Sequence, residues 1–245
     1  MCTYDNFIKK RILLGSGMMA DVYSYEGYAY KCFYEGYQED WIHYEYDVQQ
    51  EIMKTGLPSP GYYPSEFPNS IKMDLVKGIS LFDKIINGEV EFAMSKMMKW
   101  FHKMHEVQGL KLISVPEYMP GKIDEAAVTD EEKQLAKQYL DEVEQAIDGP
   151  EVLCHFDYHF QNILCEGEDI SIIDWMTAKM GKAIWDYART YVIYYEHAKE
   201  ILPYYLSEVL SYGKYPEDIF MKAVYVCAVH RVTEIDTPCV RELIG

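Results

Sequence analysis

Basic residues are scarce in this chain. Its 245 residues hold 23 lysines and arginines against 40 aspartates and glutamates, a formal net charge of −17. Nucleic acids and anionic membranes attract basic surfaces, so the balance argues against both as partners. It suits a cationic small molecule, although surplus acid more commonly serves only solubility. Long apolar runs are missing too. Asp5, Lys9, Lys10 and Arg11 interrupt any leader-like segment near the start, and no later stretch has the length of a membrane span. The six cysteines (Cys2, Cys32, Cys154, Cys165, Cys227 and Cys239) form no CxxC pair, so neither zinc nor a disulfide framework is expected. Low-complexity runs and internal repeats are absent. A soluble, cytoplasmic protein with a full core, as one large domain or two lobes, is the expectation.

What is present falls into two regions. Residues 11–34 read as strand hairpins, with Val22–Tyr25 and Tyr28–Phe33 around a Glu26-Gly27 turn. Residues 40–54 read as a helix stopped by Gly56, and a strand follows near Ile71–Val76. Phe92, Met97, Trp100, Phe101 and Met104 then mark a helical face. Residues 109–128, with Pro116, Pro120 and Gly121, read as an irregular connection. Thr129 and Glu132 form a capping box opening a helix that Gly149-Pro150 ends. Short strands are expected at Val152–Cys154 and Ile170–Ile173, and a tyrosine-rich helical region from about Ala183. The expected fold class is α+β. A small antiparallel β lobe with one helix (residues 1–76) precedes a larger, mainly helical lobe (residues 77–245).

The first region carries a candidate nucleotide site. Gly15-x-Gly17-x-x-Ala20-x-Val22 is similar to a kinase Gly-rich loop, in which glycine lets backbone N–H groups approach phosphate. A plain turn between strands would use the same glycines. Lys31 ends the pattern Tyr28-Ala29-Tyr30-Lys31, where a kinase carries the lysine that binds the α- and β-phosphates. A glutamate on the next helix must orient it. Glu45 is the choice, with Asp47 and Glu51 as rivals. Asp74-Leu75-Val76 would form a hinge whose backbone meets the purine edge of ATP or GTP.

The second region carries the chemistry. His155-Phe156-Asp157-Tyr158-His159-Phe160-Gln161-Asn162 precedes Ile172-Ile173-Asp174-Trp175. Phosphoryl transfer needs one carboxylate near the attacking hydroxyl, then an amide oxygen and a second carboxylate on Mg²⁺. Asp157, Asn162 and Asp174 have that order and spacing. The pair of motifs resembles the aminoglycoside phosphotransferase and choline kinase superfamily, whose pattern is close to His-Gly-Asp-Leu-His-Pro-Gly-Asn-Ile-Leu and then Ile-Asp-Trp. Phe156, Phe160 and Gln161 depart from its Gly, Pro and Gly. The resemblance implies a protein-kinase-like fold, Asp157 as catalytic base, and Asn162 and Asp174 as magnesium ligands. It implies that His155 braces the loop, that His159 matches the family's second histidine, and that Asp186, in Trp185-Asp186-Tyr187-Ala188, supports the loop from a buried position. A protein kinase is disfavoured: Met176–Trp185 is short, and no Ala-Pro-Glu signature follows.

The implied function is transfer of the γ-phosphate of ATP or GTP to a hydroxyl of a small, amine-bearing acceptor such as an aminoglycoside. A choline- or ethanolamine-type kinase and a non-catalytic nucleotide-binding pseudokinase are the alternatives. Tyr187, Tyr191, Tyr194, Tyr195, Tyr204, Tyr205, Tyr212 and Tyr215, interspersed with Glu196, Glu200, Glu208, Glu217 and Asp218, could face such an amine. Helical spacing favours a core role for the tyrosine stripe. A cysteine nucleophile at Cys154 or Cys165 has no recognisable base, and buried strand positions explain both.

Overall fold

The structure, a computed structural model, describes residues 4–245, and Cys2 lies outside them. After α1 (Tyr4–Lys10), the β-branched and aromatic stretch folds into β1 (Ile12–Ser16), β2 (Ala20–Tyr25) and β3 (Tyr28–Phe33), paired antiparallel. The Glu26-Gly27 turn holds both residues at positive φ, 46° and 83°, which matches the twist of the flanking strands. Next come α2 (Glu39–Met53), β4 (Tyr62–Tyr63) and β5 (Ser70–Asp74), completing a sheet of order β1-β2-β3-β5-β4. The chain continues through β6 (Ile79–Ser80), α3 (Leu81–Ile86), α4 (Val90–Met104), α5 (Val115–Glu125) and α6 (Asp130–Ala146). Then follow β7 (Val152–Cys154), β8 (Ile163–Glu166), β9 (Asp169–Ile172) and β10 (Lys179–Gly181). Four helices close the chain: α7 (Ala183–His197), α8 (Leu202–Gly213), α9 (Glu217–Val232) and α10 (Pro238–Arg241).

One expectation fails. Residues 109–128 contain α5, not an irregular connection. Ser114 caps it by accepting from the Glu117 N–H, and Pro116 stands in the first turn, where no intrahelical N–H is needed. Pro120 removes a single internal bond. Burial of Val115, Met119 and Ile123, spaced at i, i+4 and i+8, offsets it. The Thr129–Glu132 capping box does form, with bonds of 2.6 and 3.2 Å, at the start of α6.

Two compact units result. One holds the residues up to Met97 together with Phe160–Met176, and the other holds Met98–His159 and Thr177–Gly245. In the first, strand alternation sorts side chains to the two faces of the sheet. Ala29 and Phe33 join Ile42 of α2 in one apolar cluster, and Tyr30 joins Phe7, Tyr25 and Phe67 in another. Lys31, two residues from Ala29, therefore points to the α2 face. A second sheet of order β6-β8-β9 belongs to the same unit. Gly78 (φ 106°) is required there, because a Cβ would lie 2.1 Å from the Cys165 carbonyl oxygen.

In the second unit β7 pairs with β10, and α9 packs on α6 and α7. Every residue of α9 from Ala223 to His230 is buried, so this is a core helix and not an amphipathic one. The fold is α+β, with small antiparallel sheets and predominantly helical remaining structure. Among the described residues no helix is long and apolar enough to cross a membrane.

Candidate active site

In the first unit an ammonium stands between two carboxylates. Lys31 Nζ donates to both oxygens of Glu45, at 2.8 and 3.0 Å, and to Asp174 Oδ1 at 3.2 Å. Glu45 reaches it because Ile42, Glu45, Val48 and Ile52 share the buried face of α2. Its rivals turn elsewhere: Asp47 is exposed, and Glu51 pairs with Lys54. Glu45 is only 2% exposed, and Tyr62 Oη also donates to it, at 3.3 Å. Burial raises its pKa, while Lys31 works to lower it. Lys31 itself is pushed down by burial, but Asp174 and Glu45 outweigh this and hold it charged.

Gly15 and Gly17 lie at the β1–β2 hairpin, where Gly17 N–H donates to the Ala20 carbonyl at 2.8 Å. Neither has the positive φ that would demand glycine. A Cβ on Gly15 would meet nothing within 4 Å, and one on Gly17 only the Ala20 oxygen at 3.4 Å. The fold itself therefore does not explain these glycines.

Asn162 and Asp174 terminate one hairpin. The β8–β9 register sets Ile163 opposite Ile172, and the Asn162 carbonyl accepts from Ile173 N–H at 2.9 Å. Asp174 follows immediately, with a left-handed backbone (φ 63°) and a side chain 47% exposed. An amide and a carboxylate are the hard oxygen donors that magnesium prefers, so the donor set fits that ion.

Asp74 ends β5, but its side chain is occupied. Its oxygens accept from Gly61 N–H at 2.8 Å and Tyr63 Oη at 3.1 Å. Val76, two residues on, is half-buried.

The second unit carries the other motif residues. His155 is fully buried, and its Nδ1 accepts from Asp157 N–H at 3.3 Å. His159 Nε2 stands 3.5 Å from Asp157 Oδ2. Burial acts to raise the Asp157 pKa. The His159 hydrogen bond and the charges of His159, Arg189 and His155 outweigh it and hold the carboxyl below the ordinary range. Asp157 is therefore ionised at neutral pH.

Asp186 is buried on α7 and accepts from the backbone N–H groups of His155 and Phe156, both at 2.8 Å. His105 Nε2 lies 3.1 Å from the same carboxylate. The loop's carbonyls are held as well: Thr177 donates to that of His155 (2.9 Å), Arg189 Nε to that of Phe156 (3.1 Å) and Thr190 to that of Tyr158 (2.9 Å). Phe156 sits at φ 66°, where the similar family carries glycine. For an L-residue this costs roughly 1–2 kcal/mol, and the surrounding bonds must hold it.

Four of these supporting residues escape sequence reasoning: His105, Thr177, Arg189 and Thr190. Only Arg189 and Thr190 carried a signal, standing one helical turn beyond Asp186. Farther along, Tyr187, Tyr194 and Tyr205 are core, whereas Tyr204 and Tyr212 are exposed. Glu196 accepts from Arg231 at 3.0 Å and from Thr237 at 3.2 Å, so that carboxylate is already neutralised.

A family model for APH, described as the phosphotransferase enzyme family, matches residues 108–213, which include every motif residue from His155 to Asp186. No curated protein matches the chain by sequence. A choline/ethanolamine kinase family protein from Mesorhizobium loti shares 17% identity over 91% of this chain and 76% of that chain, with a TM-score of 0.63. Aminoglycoside phosphotransferase APH(2'')-Ib, ADP-bound, shares 14% over 99% and 96%, with a TM-score of 0.66. A thermostable mutant of aminoglycoside phosphotransferase APH(4)-Ia, in ternary complex with AMP-PNP and hygromycin B, shares 14% over 94% and 90%, with a TM-score of 0.67. At such identities the likeness establishes the fold, which is protein-kinase-like. The resemblance read from the motifs is borne out, and the family match supports a kinase-type phosphotransferase.

Proposed function

We propose that the chain is a magnesium-dependent kinase that transfers the γ-phosphate of ATP or GTP to a hydroxyl of a small, amine-bearing acceptor. The observation that carries this reading is the Lys31 ammonium bonded to both Glu45 and Asp174. A lysine used only for stability gains little from such an arrangement. One that must meet phosphate oxygens needs a fixed position and a secure charge.

In this reading Lys31 holds the α- and β-phosphates, with Glu45 fixing its direction. Gly15 and Gly17 let backbone N–H groups approach phosphate, and backbone groups of Asp74–Val76 receive the purine. Asn162 and Asp174 hold magnesium, which neutralises phosphate charge when bound. Asp157, ionised and aligned by His155 and His159, accepts the proton of the attacking hydroxyl as its oxygen bonds to the γ-phosphorus and the bond from that phosphorus to the β-phosphate oxygen breaks, releasing ADP or GDP. Asp186 fixes the backbone that presents it. In this reading residues 1–76 bind the nucleotide, and residues 77–245 supply the magnesium ligands Asn162 and Asp174, catalysis and the acceptor site.

An amine on the acceptor suits the net charge of −17. Because Glu196 is already paired, the acids available to such an amine are Glu200, Glu208, Glu217 and Asp218, all exposed. The test is magnesium-dependent ADP or GDP release against aminoglycosides, choline, ethanolamine, amino alcohols and sugars. Release that requires one acceptor class and disappears in Asp157→Asn supports the reading. Tight nucleotide binding without release across the panel favours the pseudokinase.

A further inference from the structure

We propose that Arg189 is a positioning residue for Asp157, holding in place the strained residue that precedes it. The inference rests on the reading of Asp157 as the base. Phe156 adopts φ 66°, a left-handed conformation that side chains other than glycine avoid. Something must hold it there, because relaxation of this residue would swing the next peptide and the Asp157 side chain with it.

The hold has two ends. Asp186 Oδ1 accepts from the Phe156 N–H at 2.8 Å, and Arg189 Nε donates to the Phe156 carbonyl at 3.1 Å. Asp186 and Arg189 stand one turn apart on α7, so one rigid helix grips both sides of a single residue. The carbonyl gripped by Arg189 belongs to the peptide bond joining Phe156 to Asp157.

Arg189 is in turn fixed from behind. It is 2% exposed, and its Nη2 donates to Glu234, just beyond α9. Glu234 also accepts from Arg231 Nη1 at 2.7 Å, and Arg231 bonds to Glu196 at 3.0 and 3.1 Å. The Nη1 of Arg189 is buried without a hydrogen-bond partner. Stability does not explain such a residue. A buried ion pair is commonly no better than apolar side chains of the same volume, and an unpaired buried N–H is unfavourable. Orientation does explain it: the planar guanidinium fixes the direction of its donors, whereas an ammonium is a point charge on a flexible stem.

The experiment compares Arg189→Lys, Glu234→Gln and Asp157→Asn in the full chain. It measures kcat, nucleotide KM and melting temperature with the best acceptor from the panel. Arg189→Lys keeps the charge but loses the fork. Its kcat should fall ~10- to 100-fold, since a shift of about 1 Å at a reacting group can cost that much, with nucleotide KM unchanged within about twofold. Glu234→Gln should show a smaller loss of the same kind, and it carries the test alone if Arg189→Lys does not fold. A kcat within about twofold of wild type in both variants, while Asp157→Asn is inactive, overturns the role of Arg189 alone. Losses of kcat and nucleotide affinity in parallel with melting temperature overturn it too, because they report general loosening. Full activity in Asp157→Asn overturns the base assignment itself, and the positioning role with it.

Discussion

Replacing Lys31 with methionine strips a buried carboxylate of its counter-ion. Glu45 is 2% exposed and the Lys31 side chain 17% exposed, so this pair is shielded from water and salt. Breaking a buried pair by removing one partner costs about 3–5 kcal/mol. Tyr62 still donates to Glu45, which argues for the lower end, about 3 kcal/mol. In a chain of this length that corresponds to a fall in melting temperature of roughly 6–12 °C. The pH dependence has a definite sign. Burial holds the folded-state pKa of Glu45 above its ordinary value, and Lys31 opposes that rise. Without the lysine the pKa rises further, so the folded form binds a proton more readily than the unfolded chain, and stability is gained as pH falls. The deficit of Lys31→Met should therefore shrink between pH 7 and pH 5. Adding Glu45→Gln should restore more than half of the loss at pH 7, because the unpaired charge is gone. Nucleotide-free calorimetry of the wild type, both single variants and the double variant measures this. Melting of Lys31→Met within roughly 2 °C of wild type at pH 7, or strictly additive losses in the double variant, would refute the buried-pair reasoning.

Three further outcomes are expected. Gly15→Ala should leave melting unchanged while weakening nucleotide binding by titration calorimetry, whereas Gly78→Ala should fail to fold or melt far lower, because its Cβ would meet the Cys165 carbonyl. Asp186→Asn keeps one acceptor oxygen for the two N–H groups that the carboxylate now serves. One buried N–H is left unpaired, at about 1–3 kcal/mol, so turnover and melting temperature should fall while nucleotide Kd holds. Thiol alkylation read by mass spectrometry should modify Cys32 and Cys239 before Cys154 and Cys227. Burial pushes the Cys154 thiol well up and the Cys227 thiol up to about 12, so early labelling of Cys154 would contradict its assignment as a packed core residue.

Much of the candidate site could be read along the chain, because its residues are local there. Asn162 and Asp174 end one short hairpin, so their separation in sequence is the length of that hairpin. Glu45 is the choice over Asp47 and Glu51 because its stretch precedes the apolar end of the helix, and the structure places it with Ile42, Val48 and Ile52 on the buried face. The capping box at Thr129 is likewise a four-residue pattern. Failures came where a local rule lost to packing or distance. Pro116, Pro120 and Gly121 suggested a break, but Pro116 falls in a first turn and the buried stripe of α5 offsets the rest. His105 reaches Asp186 from 81 residues away, and no spacing rule connects them. Phe156 marks the intermediate case. Its departure from the glycine of the similar family's pattern is legible, but only the structure gives its φ of 66° and the Arg189 and Asp186 bonds around it.

Phosphoryl transfer to an acceptor hydroxyl is the central claim, and the most direct measurement detects the product itself. The chain is incubated with magnesium, ATP or GTP and each panel acceptor, and the acceptor is examined by phosphorus NMR and mass spectrometry. One phosphoryl group should be esterified to an acceptor hydroxyl, absent without nucleotide and absent with Asp157→Asn. Nucleotide bound in the presence of magnesium, with no phosphorylated acceptor anywhere in the panel, would contradict the claim.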